Sequence, residues 1–122
     1  MLDEMVALKN RVTGITDVAL ATRDGLLITA DTSDVAAESL VAMAASMLGL
    51  ARQMAAGASR GPLQEVVIHG SGGYVATFAV GVSALLVVVG DAEMDTTELY
   101  RQSRLTVQKL TGLLLRRDRE QR

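Results

Sequence analysis

The segment VVIHGSGGYVATFAV, Val66 to Val80, decides whether this chain folds around a phosphate-binding loop or a β-hairpin. A P-loop needs a lysine directly after its last glycine, and both lysines, Lys9 and Lys109, lie far from this segment. A dinucleotide-binding loop needs a third glycine that opens a helix, but Val75 stands at that place and a β-branched, aromatic run follows. The segment therefore predicts two strands joined by a short glycine turn.

The flanking segments extend this pattern in both directions. Upstream, Ile15 to Thr22 alternates with period two, Asp24-Gly25 predicts a tight hairpin turn, and Leu26 to Ala30 returns as a second strand. Downstream, Ala84 to Val89 is apolar on both faces, which is typical of a central strand covered by helices. Four glycines are predicted to occupy the turns: Gly25, Gly70, Gly72 and Gly73.

Three helices are predicted around these five strands. Helix 1 has an apolar stripe of Leu2, Met5, Val6 and Val12. Helix 2 runs from Val35 to Ala56, with Ser33 or Asp34 as the favoured N-cap. Helix 3 follows Asp95 as N-cap, with Glu98 at the third position. Its predicted buried stripe consists of Leu99, Ser103, Val107, Leu110 and Leu114.

The element order is α-β-β-α-β-β-β-α, without repeats or linkers. Hairpin connections imply a five-stranded antiparallel sheet, and a sheet with two apolar faces needs helices on each side. The fold class is therefore an α/β (α+β) sandwich. Residues 1–122 suit a single domain, and 115–122 form a charged, solvated C-terminal tail.

Helix 2 is too apolar for a surface helix, because Glu38 and Arg52 are its only charges. One side can pack on the sheet, and the other would expose Leu and Met side chains to water. A second copy of the chain related by two-fold symmetry is the commonest solution, and the edge strand containing Val66 supports it. The alternative is a helix buried within a lopsided monomer. The predicted dimer interface comprises Leu40, Met43, Ala44, Met47, Leu48, Ala51, Met54, Val66, Val67 and Ile68.

Composition argues against several classes of function. The net charge of -2 provides no basic field for nucleic acid, and aromatic residues for stacking on bases are scarce. The absence of cysteine removes thiolate chemistry and fits a cytoplasmic location. The longest uncharged helical stretch, Ser39 to Ala51, is shorter than the ~20 residues of a membrane span, so no membrane insertion is expected.

No catalytic, metal or cofactor site is predicted. His69 is the single histidine and lies at a strand end, where a turn-edge role is more common than catalysis, although catalysis around it stays a third hypothesis. The acidic groups Asp31, Asp34 and Glu38, and Asp91, Glu93 and Asp95, precede helices. Carboxylates there stabilise the helix N-terminus.

The chain resembles the Roadblock/LC7 domain family, which includes dynein light-chain roadblock proteins and bacterial MglB-type regulators. The resemblance rests on the GITDVALATRDGLLITA hairpin, the Ala/Met-rich helix 2, the QEVVIHGSGGYVATFAV hairpin followed by ALLVVVGD, and the last helix. It implies strand order 2-1-5-4-3, helices 1 and 3 on one face and helix 2 on the other, as in profilin-like folds. It also implies dimerisation through helix 2 and the third strand, and a bacterial source.

The resemblance further implies a non-enzymatic dimeric scaffold that binds a small Ras-like GTPase and modulates its nucleotide cycle or localisation in a signalling complex. A profilin-like module that senses a small molecule between sheet and helices is the alternative function.

Overall fold

The computed structural model describes residues 1–33 and 35–120, and their helices and strands follow the predicted order. The helices are α1 (Leu2–Arg11), α2 (Ala37–Gly57) and α3 (Thr96–Glu120). The strands are β1 (Ile15–Thr22), β2 (Leu27–Asp31), β3 (Glu65–Gly70), β4 (Gly73–Val80) and β5 (Ala84–Asp91). Residues 115–120 of the predicted tail are exposed and continue α3.

The five strands form one antiparallel sheet in the order β2-β1-β5-β4-β3, as expected. β5 is central and pairs with β1 on one side and β4 on the other. Its residues Ala84 to Val88 are all buried, because apolar side chains point into a core on each face of the sheet. The prediction of a central strand covered on both sides is confirmed.

Each face of the sheet has its own core. On one face, Leu20, Phe78 and Leu86 pack with Met5 and Leu8 of α1 and the buried stripe of α3. On the other face, Ala19, Ala21, Leu85 and Val87 form a floor of small and branched side chains beneath α2. The small side chains of β1 let α2 approach the sheet closely, so the helix lies directly over the β1–β5 pair.

The glycine-rich segment is a hairpin, as predicted, with Ser71-Gly72 as its two-residue turn. Of its three glycines, Gly73 has the positive φ, at +148°, and packs against the backbone of Gly90 and Asp91 on β5. Gly70 and Gly72 do not have positive φ, so Gly73 is the one of these three glycines that uses the conformational freedom of the residue. Gly25, in the first hairpin, does need it at +90°.

The start of α2 differs from the prediction. The helix begins at Ala37 with Ala36 as N-cap and no side-chain capping bond. Ser33, one of the two favoured caps, instead donates its backbone N–H to the Asp17 carboxylate of β1, so a bond from a distant strand holds it outside the helix. The other favoured cap, Asp34, lies outside the described residues.

The cap of α3 matches the prediction, while the buried stripes of α1 and α3 need correction. The Glu98 backbone N–H donates to Asp95 Oδ1 at 3.1 Å. In α3, four members of the predicted stripe are buried, namely Leu99, Ser103, Leu110 and Leu114, but Thr106 is buried in place of Val107, which is only partly buried. In α1 the buried residues are Met5 and Leu8. Val12, directly after the helix, is buried as predicted, whereas Leu2 is exposed and Val6 is only partly buried.

Candidate protein interaction surface

The two sides of α2 have different surroundings although both are apolar. Val41, Ala44 and Leu48 recur at helical spacing, are buried, and pack on the floor formed by β1 and β5. The opposite side presents Met43, Leu50 and Met54 to solvent, with 65%, 65% and 76% of each residue exposed. These three residues, with the partly buried Met47 between them, are called the outer α2 face below.

The outer α2 face has the chemistry of a protein interface. Its members recur at intervals of one and two helical turns, so they form a continuous stripe along the helix. Methionine side chains are flexible and polarisable, and they adapt to irregular partner surfaces. The charges of the helix, Glu38 and Arg52, stand near its two ends rather than within this stripe.

The edge strand β3 continues this surface. β3 pairs with β4 on one side, and its other side has no strand partner within the described residues. Val66 packs on the α2 side of the sheet, and Ile68, two residues further along the same face, is 47% exposed. No proline or lysine in β3 discourages pairing with another strand. The outer α2 face and this free edge are therefore neighbouring apolar surfaces.

The structure divides the predicted interface residues into three groups. Met43, Met54 and Ile68 are exposed, and Leu40, Met47, Ala51 and Val66 are partly buried. Ala44 and Leu48 are buried against the sheet, and Val67 packs into the core on the far side of the sheet from α2. Leu50 was omitted from the predicted set, although its spacing of seven residues from Met43 places it on the same side of the helix. The interface itself stays a prediction.

By length and composition alone, α2 is long and apolar enough to cross a membrane. The comparison of Ser39 to Ala51 with a membrane span underestimated the length of the apolar helix. The helix continues to Gly57 with a single further charge, Arg52. Helices that pack within a protein core, or against a partner, meet the same criterion. The packing of Val41, Ala44 and Leu48 on the sheet accounts for one side of α2, and the outer α2 face is the side that the sheet does not cover.

His69 stands in a cross-strand aromatic pair. Its ring stacks on Tyr74 with centroids 4.3 Å apart and planes 8° from parallel, at the register position where β3 and β4 face each other. The side chain is exposed at the hairpin end, which fits a turn-edge role. Across residues 1–33 and 35–120, no cluster of three or more His, Cys, Asp or Glu side chains is arranged to hold a metal ion.

The acidic groups before the helices have structural partners. Asp31 accepts a hydrogen bond from Lys9 Nζ at 3.4 Å. Asp91 accepts the backbone N–H of Glu93 at 2.9 Å, and Asp95 caps α3. Glu98 binds Arg101 and Gln102, and these hydrogen bonds, with that from Arg101 the stronger cause, hold the pKa of Glu98 below its usual value. The Asp95 contact caps α3, and the Asp31 contact links β2 to the last turn of α1.

Comparison with known proteins agrees with this geometry. The family model described as the Roadblock/LC7 domain matches residues 1–90, and the chain belongs to the Roadblock/LC7 domain family. Comparison with curated protein sequences gave no match. Members of the family are in general regulatory, non-enzymatic protein-interaction domains.

Solved structures show the same fold. The crystal structure of a Roadblock/LC7 domain from Streptomyces avermitilis has a TM-score of 0.88 at 22% identity, covering 94% of this chain and 98% of that chain. An MglB solved in a tetrameric arrangement has a TM-score of 0.84 at 16% identity, covering 91% and 85%. The gliding protein MglB from Thermus thermophilus has a TM-score of 0.81 at 16% identity, with the same coverage. At these identities the likeness establishes the fold.

Proposed function

We propose that this chain is a dimeric, non-enzymatic scaffold that binds a small Ras-like GTPase and modulates its nucleotide cycle or localisation, in the cytoplasm of a bacterium. The observation that carries the proposal is the outer α2 face, in which Met43, Leu50 and Met54 are each more than half exposed. Covering one such side chain contributes about 1.5–3 kcal/mol. Three of them from each of two copies give a substantial driving force for self-association.

A two-fold arrangement uses both neighbouring surfaces at once. Two outer α2 faces pack against each other, and the free edge of β3 meets its symmetry mate beside them. Main-chain hydrogen bonds along β3 then extend the sheet from one copy into the next. The tetrameric arrangement of one similar MglB supports the idea that this fold self-associates.

The GTPase partner is inferred from the family resemblance and from the structural likeness to MglB proteins. An interaction role also fits the sequence, which has neither a P-loop nor a nucleophile motif. In this proposal the chain contributes a binding surface, and the nucleotide chemistry belongs to the partner.

Sedimentation velocity tests the assembly. Met54→Glu places an unpaired charge in the proposed interface, which costs about 3–5 kcal/mol per buried charge and should give monomers. Leu105→Glu is the matched control, because Leu105 is a half-exposed apolar residue on α3, across the sheet from α2. A wild-type monomer at micromolar concentration, or equal masses for wild type and Met54→Glu, contradicts the proposed dimer.

Pull-down tests the partner. The bait is the wild-type chain, and the prey is the small Ras-like GTPase encoded beside it, loaded with GDP or a non-hydrolysable GTP analogue. We expect binding that depends on the nucleotide. Failure to bind in either state contradicts the GTPase role, whatever the oligomeric state proves to be.

A further inference from the structure

A surface cleft of about 500 Å³ lies at the end of α2, away from the outer α2 face. The segment after α2 and the β4–β5 turn form its walls, and its lining includes Arg23, Arg52, Ser59, Pro62, Leu63 and Val82. Two guanidinium groups and no carboxylate are among its lining residues. The volume falls within the range of about 300–1,000 Å³ that is typical of small-molecule sites.

Both arginines are positioned by the fold rather than by acidic partners. Arg23 directly follows β1, donates its backbone N–H to Ser83 O at 2.8 Å, and places Nη1 3.5 Å from Val82 O. Arg52 lies one turn after Leu48 on the side of α2 that faces the sheet, and it is partly buried. Within residues 1–33 and 35–120, neither forms an ion pair, and Arg52 makes no side-chain hydrogen bond.

The two guanidinium groups line the same cleft with no carboxylate among the lining residues, so their positive charges repel each other. Burial, and secondly the positive charge of Arg23, lower the pKa of Arg52. A partly desolvated cation beside a second cation is stabilised when an anion neutralises both. Each guanidinium also presents several N–H donors in a planar fork, which fits the oxygens of a phosphate.

Stabilisation of the α2 C-terminus does not explain why Arg23 and Arg52 line the same cleft. The last carbonyls of α2 already have backbone donors, since Ala58 N–H binds Met54 O, Ser59 N–H binds Ala56 O, and Arg60 N–H binds Ala55 O. The helix end carries roughly half a negative charge, which opposes an anion. A single guanidinium group would therefore bind an anion only weakly at this helix end, whereas two guanidinium groups give the site a net positive charge.

We propose that Arg23 and Arg52 bind the phosphate group of a small phosphorylated molecule in this cleft. A phosphate monoester carries about -1.5 to -2 charges at neutral pH, which matches two guanidinium groups better than the single charge of a carboxylate. Pro62, Leu63 and Val82 provide apolar surface for the organic part of the ligand. This site is independent of the proposed dimer and GTPase role.

Titration calorimetry and NMR of arginine Nε–H signals test the site with phenyl phosphate as the probe. At about pH 8 the probe is close to dianionic, because the second pKa of a phosphate monoester is about 6. We expect Arg23→Gln and Arg52→Gln each to weaken binding about tenfold or more, as loss of a charge-assisted pair does. Arg60→Gln, the same change at an exposed neighbour that does not line the cleft, should leave the affinity unchanged.

Benzoate and a glutamate-rich peptide, at matched ionic strength, distinguish the ligand classes. Benzoate should bind about tenfold more weakly than phenyl phosphate, given its single charge. No response to phenyl phosphate up to about 10 mM, or equal loss in all three variants, overturns the site. Tighter binding of the peptide overturns the phosphate assignment. If a Gln variant unfolds by circular dichroism, Arg52→Lys, which keeps the charge and loses the fork, replaces it and should still weaken binding.

Discussion

The carboxylate of Asp17 accepts a hydrogen bond from the backbone N–H of Ser33 at 2.9 Å, joining β1 to the segment that follows β2. Asp17 is 3% exposed and also accepts the Thr16 hydroxyl at 2.7 Å. This bond holds Ser33 against β1 at the point where the chain leaves β2, four residues before α2 begins at Ala37.

Asp17→Ala should lower the free energy of unfolding by about 1–3 kcal/mol, because it leaves the Ser33 N–H without its buried acceptor. Asp17→Asn keeps an acceptor oxygen at the same place and should cost clearly less. Urea denaturation monitored by circular dichroism measures both. Equal losses in the two variants would show that the charge of Asp17, and not its hydrogen bond, is what matters.

Gly73→Ala should destabilise the fold by about 2–4 kcal/mol. A Cβ at Gly73 would collide with the carbonyl oxygen of Gly90, and φ of +148° is unfavourable for alanine. Gly72→Ala is the control in the same hairpin, since a Cβ there meets nothing within 4 Å. Thermal unfolding of both variants measures the difference, and a Gly72 variant as unstable as the Gly73 variant would disprove the steric argument.

Leu48→Ala and Met54→Ala should have different effects although both truncate an apolar side chain of α2. Leu48 is fully buried against the sheet, so its loss leaves a cavity and costs about 2–5 kcal/mol within each copy. Met54 is 76% exposed, so its loss should instead weaken self-association. Unfolding measured over a range of protein concentrations separates these effects. A Met54 variant with unchanged concentration dependence would count against the interface.

Glu98 makes stability depend on acidic pH. Its hydrogen bonds with Arg101 and Gln102 lower its pKa in the folded chain from the usual 4.5. The folded state is therefore favoured by the ionised carboxylate above about pH 4.5, and this contribution is lost as the pH falls through the lower folded pKa. Melting temperatures between pH 7 and pH 3 should fall less steeply in Glu98→Gln than in wild type. Glu93→Gln, which removes a carboxylate outside this network, should follow the wild-type curve.

The features predicted correctly from the sequence depend on local interactions. Alternation and turn residues predicted the β1–β2 and β3–β4 hairpins, and Asp95 was predicted as a cap because its partner is three residues away. The apolar run after Ala84 predicted a central strand. The strand order came from the family resemblance, because pairing such as Ile15 with Gly90 joins residues that no local pattern connects.

The wrong predictions depend on contacts between distant parts of the chain. Ser33 was favoured as a helix cap, but Asp17, sixteen residues earlier, holds it outside α2. Ala44 and Leu48 were assigned to the interface because both sides of α2 are apolar, so periodicity cannot tell which side meets the sheet. Arg52 was considered only as a charge of helix 2, and Arg23 was not considered. The two residues are twenty-nine positions apart and line one cleft only because the β1–β2 turn, which contains Arg23, lies near the end of α2.

The central place of β5 has a consequence for synthesis on the ribosome. β5 is the last strand in the sequence, and it pairs with β1. Until residue 91 has emerged from the ribosome, β1 can pair only with β2. During that interval α2 lacks the Leu85 and Val87 part of its floor, so both of its flanks are open to other nascent chains and to chaperones. Emergence of residues 84–91 from the ribosome is therefore the step at which the growing polypeptide can complete its sheet.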